Sequence, residues 1–128
     1  MRSSRVSDSC RSYEDYAAFV ESLKKPGQAI IDSLDPKKAD LLHMSVLLAD
    51  ECGELVGALK KHCIYGKEID FDNVIEELGD IEFALSGIRS TLGIDRDLVL
   101  ASNMFKLSKR YSAGRYSDQQ AIDRADKA

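Results

Sequence analysis

The amino-acid sequence predicts an all-α chain: a four-helix bundle closed by a short C-terminal helix. Three observations carry that expectation. No segment alternates with period two over a useful length, apolar residues recur at three- and four-residue spacing in four stretches, and only two prolines punctuate 128 residues. This is close to the commonest domain size, so residues 1–11 read as a flexible N-terminus and residues 12–128 as a single domain. Four helices of this size leave much apolar surface exposed, so an oligomer is expected.

The elements follow in order. Ser12 is a fair N-cap for a first helix in which Tyr16, Phe19, Val20 and Leu23 form a stripe, and Pro26-Gly27 stops it. A second helix begins near Pro36, with Asp35 as cap and proline at the first helical position. It runs to Ile64 and ends at Tyr65-Gly66, with Lys60, Lys61 and His62 near its negative end. KEIDFDN is a polar connection. A third helix spans about Asp72 to Thr91, closed by Gly93. Asp95 starts a fourth, roughly 96–111, which SAGR breaks, and Ser117 with Gln120 forms a capping-box pair for the last helix.

Composition excludes several classes. With 44% hydrophobic and 31% charged residues the chain is globular, neither disordered nor membrane-spanning. Its longest apolar run, MSVLLA, is far shorter than the ~18–20 residues a membrane helix needs. The net charge of −4 argues against a protein that coats nucleic acid. The basic N-terminal stretch is followed by no apolar region, so no secretory signal is expected. Three cysteines, Cys10, Cys52 and Cys63, show no CxxC spacing. Cys52 and Cys63 would lie ~16 Å apart along one helix, too far for a disulfide. Scattered thiols indicate a reducing, cytoplasmic setting, and Cys52 and Cys63 read as buried structural residues.

Two helices then do something unusual. Glu51 and Glu54 fall on the stripe formed by Met44, Leu47, Leu48, Leu55, Ala58 and Leu59. Glu77 and Asp80 repeat the pattern among Val74, Ile81, Ala84 and Ile88. A short connection makes the helices antiparallel and turns these faces together. Four carboxylates in a partly dry groove cannot all stay ionised without compensation, because each buried unpaired charge costs several kcal/mol. Protonation, pairing with Lys or Arg, or a divalent cation would relieve them. The two faces offer no opposing Lys or Arg, so a metal is the most economical remedy. All-oxygen ligands point to Mg²⁺ or Mn²⁺.

Gly53 and Gly79 sit beside these acids. A mid-helix glycine costs roughly 0.5–1 kcal/mol against alanine, so close approach of backbone or ligand is expected there. Gly57 could serve helix packing alone. Residues 98–117 contain Lys106, Lys109, Arg110 and Arg115 and no acid, and Asn103, Lys106 and Arg110 share one helix face. That face suits a polyphosphate; a solvated basic face is the alternative. His43 and His62 lack a nucleophile at a sensible spacing and read as satisfied helix residues. No GxxxxGK[ST] loop exists, which excludes P-loop chemistry.

The order Glu51-x-x-Glu54, then Glu77-x-x-Asp80, within DECGEL and EELGDI, resembles the all-α nucleoside triphosphate pyrophosphohydrolases of the MazG type. The likeness extends through NMFKLSKRY to the tail AIDRADK, over roughly residues 36–127, and is to small single-domain members often carried by phages. The resemblance implies hydrolysis of a nucleoside triphosphate between the α and β phosphates, giving a monophosphate and pyrophosphate. It implies Mg²⁺, with Mn²⁺ as substitute, on Glu51, Glu54, Glu77 and Asp80, and a homodimer or homotetramer. It also implies phosphate or nucleotide contacts from Asn103, Lys106 and Arg110, with Lys61 and Tyr111 as further candidates.

Asp50 or Glu51 could serve as general base. Asp50 departs from the Glu of many relatives, and Glu82 stands where relatives often carry an apolar residue. Glu82 lies off the acid face, so it is expected at the bundle edge. Base platforms could come from Tyr65, Phe71, Phe83, Tyr111 or Tyr116. A house-cleaning role and a phage role directed at one dNTP, such as dGTP or dATP, both fit. Two other classes stay open: a phosphoribosyl-ATP pyrophosphohydrolase-like enzyme and a non-catalytic helical interaction module.

Overall fold

The structure, a computed structural model, describes residues 12–127; the expected flexible N-terminus and Cys10 lie outside them. The chain divides into two compact units at the Asp35–Pro36 bond. In the first, Ser12 caps α1 (Tyr13–Leu23), its Oγ accepting the Asp15 N–H at 3.2 Å. Pro26 does more than stop α1. It caps a second helix, α2 (Gly27–Ser33), absent from the sequence expectation. Gln28 Nε2 donates to Asp32 Oδ1 across one turn of α2, and Leu34 N–H closes its end on the Ile30 and Ile31 carbonyls.

The second unit opens with α3 (Pro36–Cys63), whose 28 residues extend about 42 Å. The link to α4 (Phe71–Leu92) is stitched by its own backbone. Lys67 N–H donates to the Lys61 carbonyl at 3.1 Å, and His62 Nδ1 donates to the Lys67 carbonyl at 2.7 Å. His62 is thus a satisfied histidine, as expected. Asp70 caps α4 by accepting the Asn73 N–H, and Gly93 (φ 66°) ends it in a left-handed turn. There Ile94 N–H reaches the Arg89 carbonyl at 2.9 Å.

α3 and α4 form the main helix-to-helix packing of the chain. Met44 meets Gly87 and Glu51 meets Asp80, so the two helices run antiparallel. A Cβ at position 87 would lie 2.9 Å from Met44 Cγ, so glycine there permits the close approach.

The remaining elements are α5 (Arg96–Arg110), α6 (Asp118–Asp123) and a 3-10 turn at Ala125–Lys127. α5 packs on α6 and on the 3-10 turn, with no comparable packing on the α3–α4 pair. Ser117 caps α6 through the Gln120 N–H at 3.3 Å. The reciprocal half of the expected capping box is not made: the Gln120 side chain donates to Ser112 Oγ at 3.0 Å instead. All described elements are helical. Among the described residues only Ala84 and Glu77 are buried, while Val46, Val56, Ile75, Phe83, Met104 and Phe105 stand exposed. Cys52 and Cys63 are exposed free thiols, which corrects the expectation of burial. A single helical neighbour covers one side of α3 and leaves these positions in solvent.

Candidate active site

The antiparallel pairing brings three of the four expected acids together. Glu51 of α3 and Glu77 and Asp80 of α4 each offer a carboxylate oxygen, all within 4.8 Å of one another. Glu77 is buried at 9% exposure, Glu51 is half-buried and Asp80 is exposed. Burial above all pushes the Glu51 carboxyl above its ordinary value. The Asp80 charge, a hydrogen bond shared with Glu77, and the charges of Glu77 and Asp50 push it further. Among the described residues none of the three acids pairs with Lys or Arg. Three hard oxygen donors with crowded negative charge suit a hard divalent cation.

Glu54, one turn beyond Glu51, is exposed and outside this group. Asp50 is also exposed, and close enough for its charge to act on Glu51. Gly53 and Gly79 approach nothing within 4 Å, so the close backbone contact expected there is not made inside the chain. Glu82 is exposed, as its position off the acid face requires.

The expected phosphate-binding residues lie apart from the acids. Asn103 and Lys106 are exposed on α5, and Lys61 is exposed in the last turn of α3. The Arg110 guanidinium is engaged by Asp126, a residue the sequence reading did not single out. The signal was available in the tail AIDRADK, but nothing in periodicity links it to α5. Tyr111 is half-buried, its ring 5.8 Å from that of Tyr116 and tilted by 38°. Both rings line a cavity of about 300 Å³ with Leu107, Ser108, Gly114 and Arg115. Tyr65, Phe71 and Phe83 are exposed elsewhere. A second cavity, of about 210 Å³, lies between α3 and α4 and was also missed.

A family model, the MazG nucleotide pyrophosphohydrolase domain, matches residues 40–114, more than half of the chain. The chain belongs to the MazG family. The match covers the acid group of α3 and α4 and all of α5, and stops before Asp126. No curated protein and no solved structure matches the chain. MazG membership makes this protein a hydrolase acting on phosphoric anhydride bonds of nucleotides. No helix among the described residues of this MazG protein is long and apolar enough to cross a membrane.

Proposed function

We propose that this MazG protein cleaves nucleoside triphosphates between the α and β phosphates, releasing a monophosphate and pyrophosphate. The observation that carries the reading is the convergence of Glu51, Glu77 and Asp80 oxygens within 4.8 Å around a carboxyl that resists ionisation. Mg²⁺, or Mn²⁺ in its place, would be held by these three residues. Glu54, exposed one turn along the same helix, joins them by a change of rotamer. The bound cation supplies charge neutralisation at the phosphate oxygens and acidifies water.

Of the two candidate bases, Asp50 is the one outside the ligand group and therefore free to take the proton of the attacking water. Asn103, Lys106, Lys61 and the outer edge of Arg110 bind phosphate oxygens, and Tyr111 contacts the nucleoside. Assembly as a homodimer or homotetramer is supported by the exposed apolar side chains and by the separation of α5 from the acids. The exposed thiols fit a reducing cytoplasm.

Chromatography of each NTP and dNTP after incubation with protein and Mg²⁺ tests the reading, with phosphoribosyl-ATP in the same panel. Monophosphate and pyrophosphate are expected, and Glu77→Gln should abolish them. Diphosphate and orthophosphate would move the cleaved bond. No turnover, with Mn²⁺ also tried, would leave the helical interaction module. The substrate profile separates removal of aberrant nucleotides from depletion of one dNTP.

A further inference from the structure

The α3–α4 groove holds a recess beyond the acids. Asp40, His43 and Met44 of α3 and Gly87, Ser90 and Thr91 of α4 line its volume of about 210 Å³. That is several times the ~30 Å³ share of a water molecule, room for a planar ring system. Met44 lies across toward Gly87, where a side chain would collide with it, and supplies an apolar, polarizable floor. The walls carry a carboxylate, an imidazole and two hydroxyls.

Helical register places this recess in line with the acid group. Positions 40, 44 and 51 recur on one stripe of α3, and 77, 80, 87 and 91 on one stripe of α4. At 1.5 Å per residue, Met44 and Asp40 lie about 10 and 16 Å along α3 from Glu51. Gly87 and Thr91 lie at the same spacings from Asp80. With the reacting α–β linkage at the acids, about eight bonds lead from the β phosphorus through the sugar to the base. Three extended bonds reach at most ~3.5 Å, so eight reach ~9 Å, and the ring extends from there into that interval.

We propose that the recess between Asp40, His43, Met44, Gly87, Ser90 and Thr91 is the nucleobase subsite, with Asp40 selecting guanine. This rests on the pyrophosphohydrolase reading above. An ionised carboxylate only accepts hydrogen bonds, and it accepts two side by side. Guanine alone presents adjacent donors, N1–H and the N2 amino group, on one edge. Adenine and cytosine place an acceptor beside their amino group, and thymine flanks its N3–H with carbonyls, so each sets an acceptor against the carboxylate. Asp40 is exposed at the rim of the recess, so discrimination comes from the edge of the base itself: guanine pairs two donors with the carboxylate, and the wrong base sets an acceptor against it.

The experiment compares kcat/KM for the four dNTPs in the wild type, Asp40→Asn and Ser90→Ala, all in the full chain with folding checked by circular dichroism. The wild type is expected to prefer dGTP. Asp40→Asn should lower the dGTP-to-dATP ratio about tenfold or more, the size of a charge-assisted hydrogen bond. Turnover with that ratio unchanged in Asp40→Asn would overturn the subsite while leaving the reaction intact. If the wild type hydrolyses nothing, the pyrophosphohydrolase reading fails, and calorimetric titration with dGMP still decides the recess. Binding weakened about tenfold by Asp40→Asn supports it, whereas equal binding or none overturns it. Should Asp40→Asn not fold, Ser90→Ala decides by the same two readouts.

Discussion

Arg110 and Asp126 form a forked ion pair that ties the last turn of the chain to α5. Arg110 Nε donates to Asp126 Oδ1 at 2.7 Å, and Nη2 donates to Oδ2 at 3.0 Å. The Asp126 side chain is 1% exposed and that of Arg110 16%. Two parallel bonds out of solvent give this pair directional strength that an exposed pair such as Lys24–Glu21 lacks. The fork uses the Nε edge of the guanidinium, and the Tyr111 side chain is a further partner of Arg110.

The pair gives a pH signature. Hydrogen bonding from Arg110, opposed in part by burial, lowers the Asp126 carboxyl to about 2 from its ordinary 3.8. Its folded value lies below its unfolded one, so its contribution is present above pH 3.8 and is lost as pH falls toward about 2. Thermal unfolding of Asp126→Asn should show a lower Tm than wild type above that window. The gap should close as the acid end is reached.

Glu51 predicts the opposite slope. Its folded value is raised above 4.5, chiefly by burial, so the metal-free protein loses stability as pH rises from 4.5 through the folded value. Unfolding followed in a chelator should show this decline in the wild type, and Glu51→Gln should lack that part of it. A divalent cation at a hundredfold excess over its Kd should restore about 2.7 kcal/mol.

Glu77 separates stability from activity. It is a buried acid facing two others, so Glu77→Gln relieves repulsion and should raise the Tm of the metal-free protein. The same variant removes a charged oxygen donor and should cut hydrolysis by on the order of a hundredfold or more. A variant losing both stability and activity would mean that Glu77 is held by contacts other than these acids.

The glycines divide into two kinds. Gly53→Ala meets open space and should gain about 0.5–1 kcal/mol in denaturant unfolding from helix propensity. Gly87→Ala meets Met44, and an overpacking cost of about 1–3 kcal/mol should cancel or exceed that gain. Combining Gly87→Ala with Met44→Ala should be non-additive, since the two positions share one contact.

How far the sequence could be read depends on what sets each feature. Ser12, Asp95 and Ser117 cap their helices through local hydrogen bonds, so those starts were legible. Asp70, the cap of α4, instead read as part of the polar connection before a start at about Asp72. α2 was not, because Pro26-Gly27 carries a stop for α1 and the start of another helix in the same two residues. Glu51, Glu77 and Asp80 were legible from helical period alone. Glu54 has the same i, i+3 spacing from Glu51 that Asp80 has from Glu77, yet it stands outside the group, because which turn of α3 meets the acids of α4 depends on where the two helices cross. The exposure of Cys52 and Cys63, the redirection of Gln120 and the fork to Asp126 depend on which elements pack together. Periodicity within one helix does not encode that.

The antiparallel α3–α4 pair also bears on the order in which the protein matures. Its helices are neighbours in the chain and their link is short, so closing the hairpin requires little chain search and belongs among fast, local folding events. The acid group does not exist until that closure, since Glu51 stands on one arm and Glu77 and Asp80 on the other. A cation held by acids of both arms would therefore slow their reopening, acting as a clasp on the hairpin as well as a participant in the chemistry.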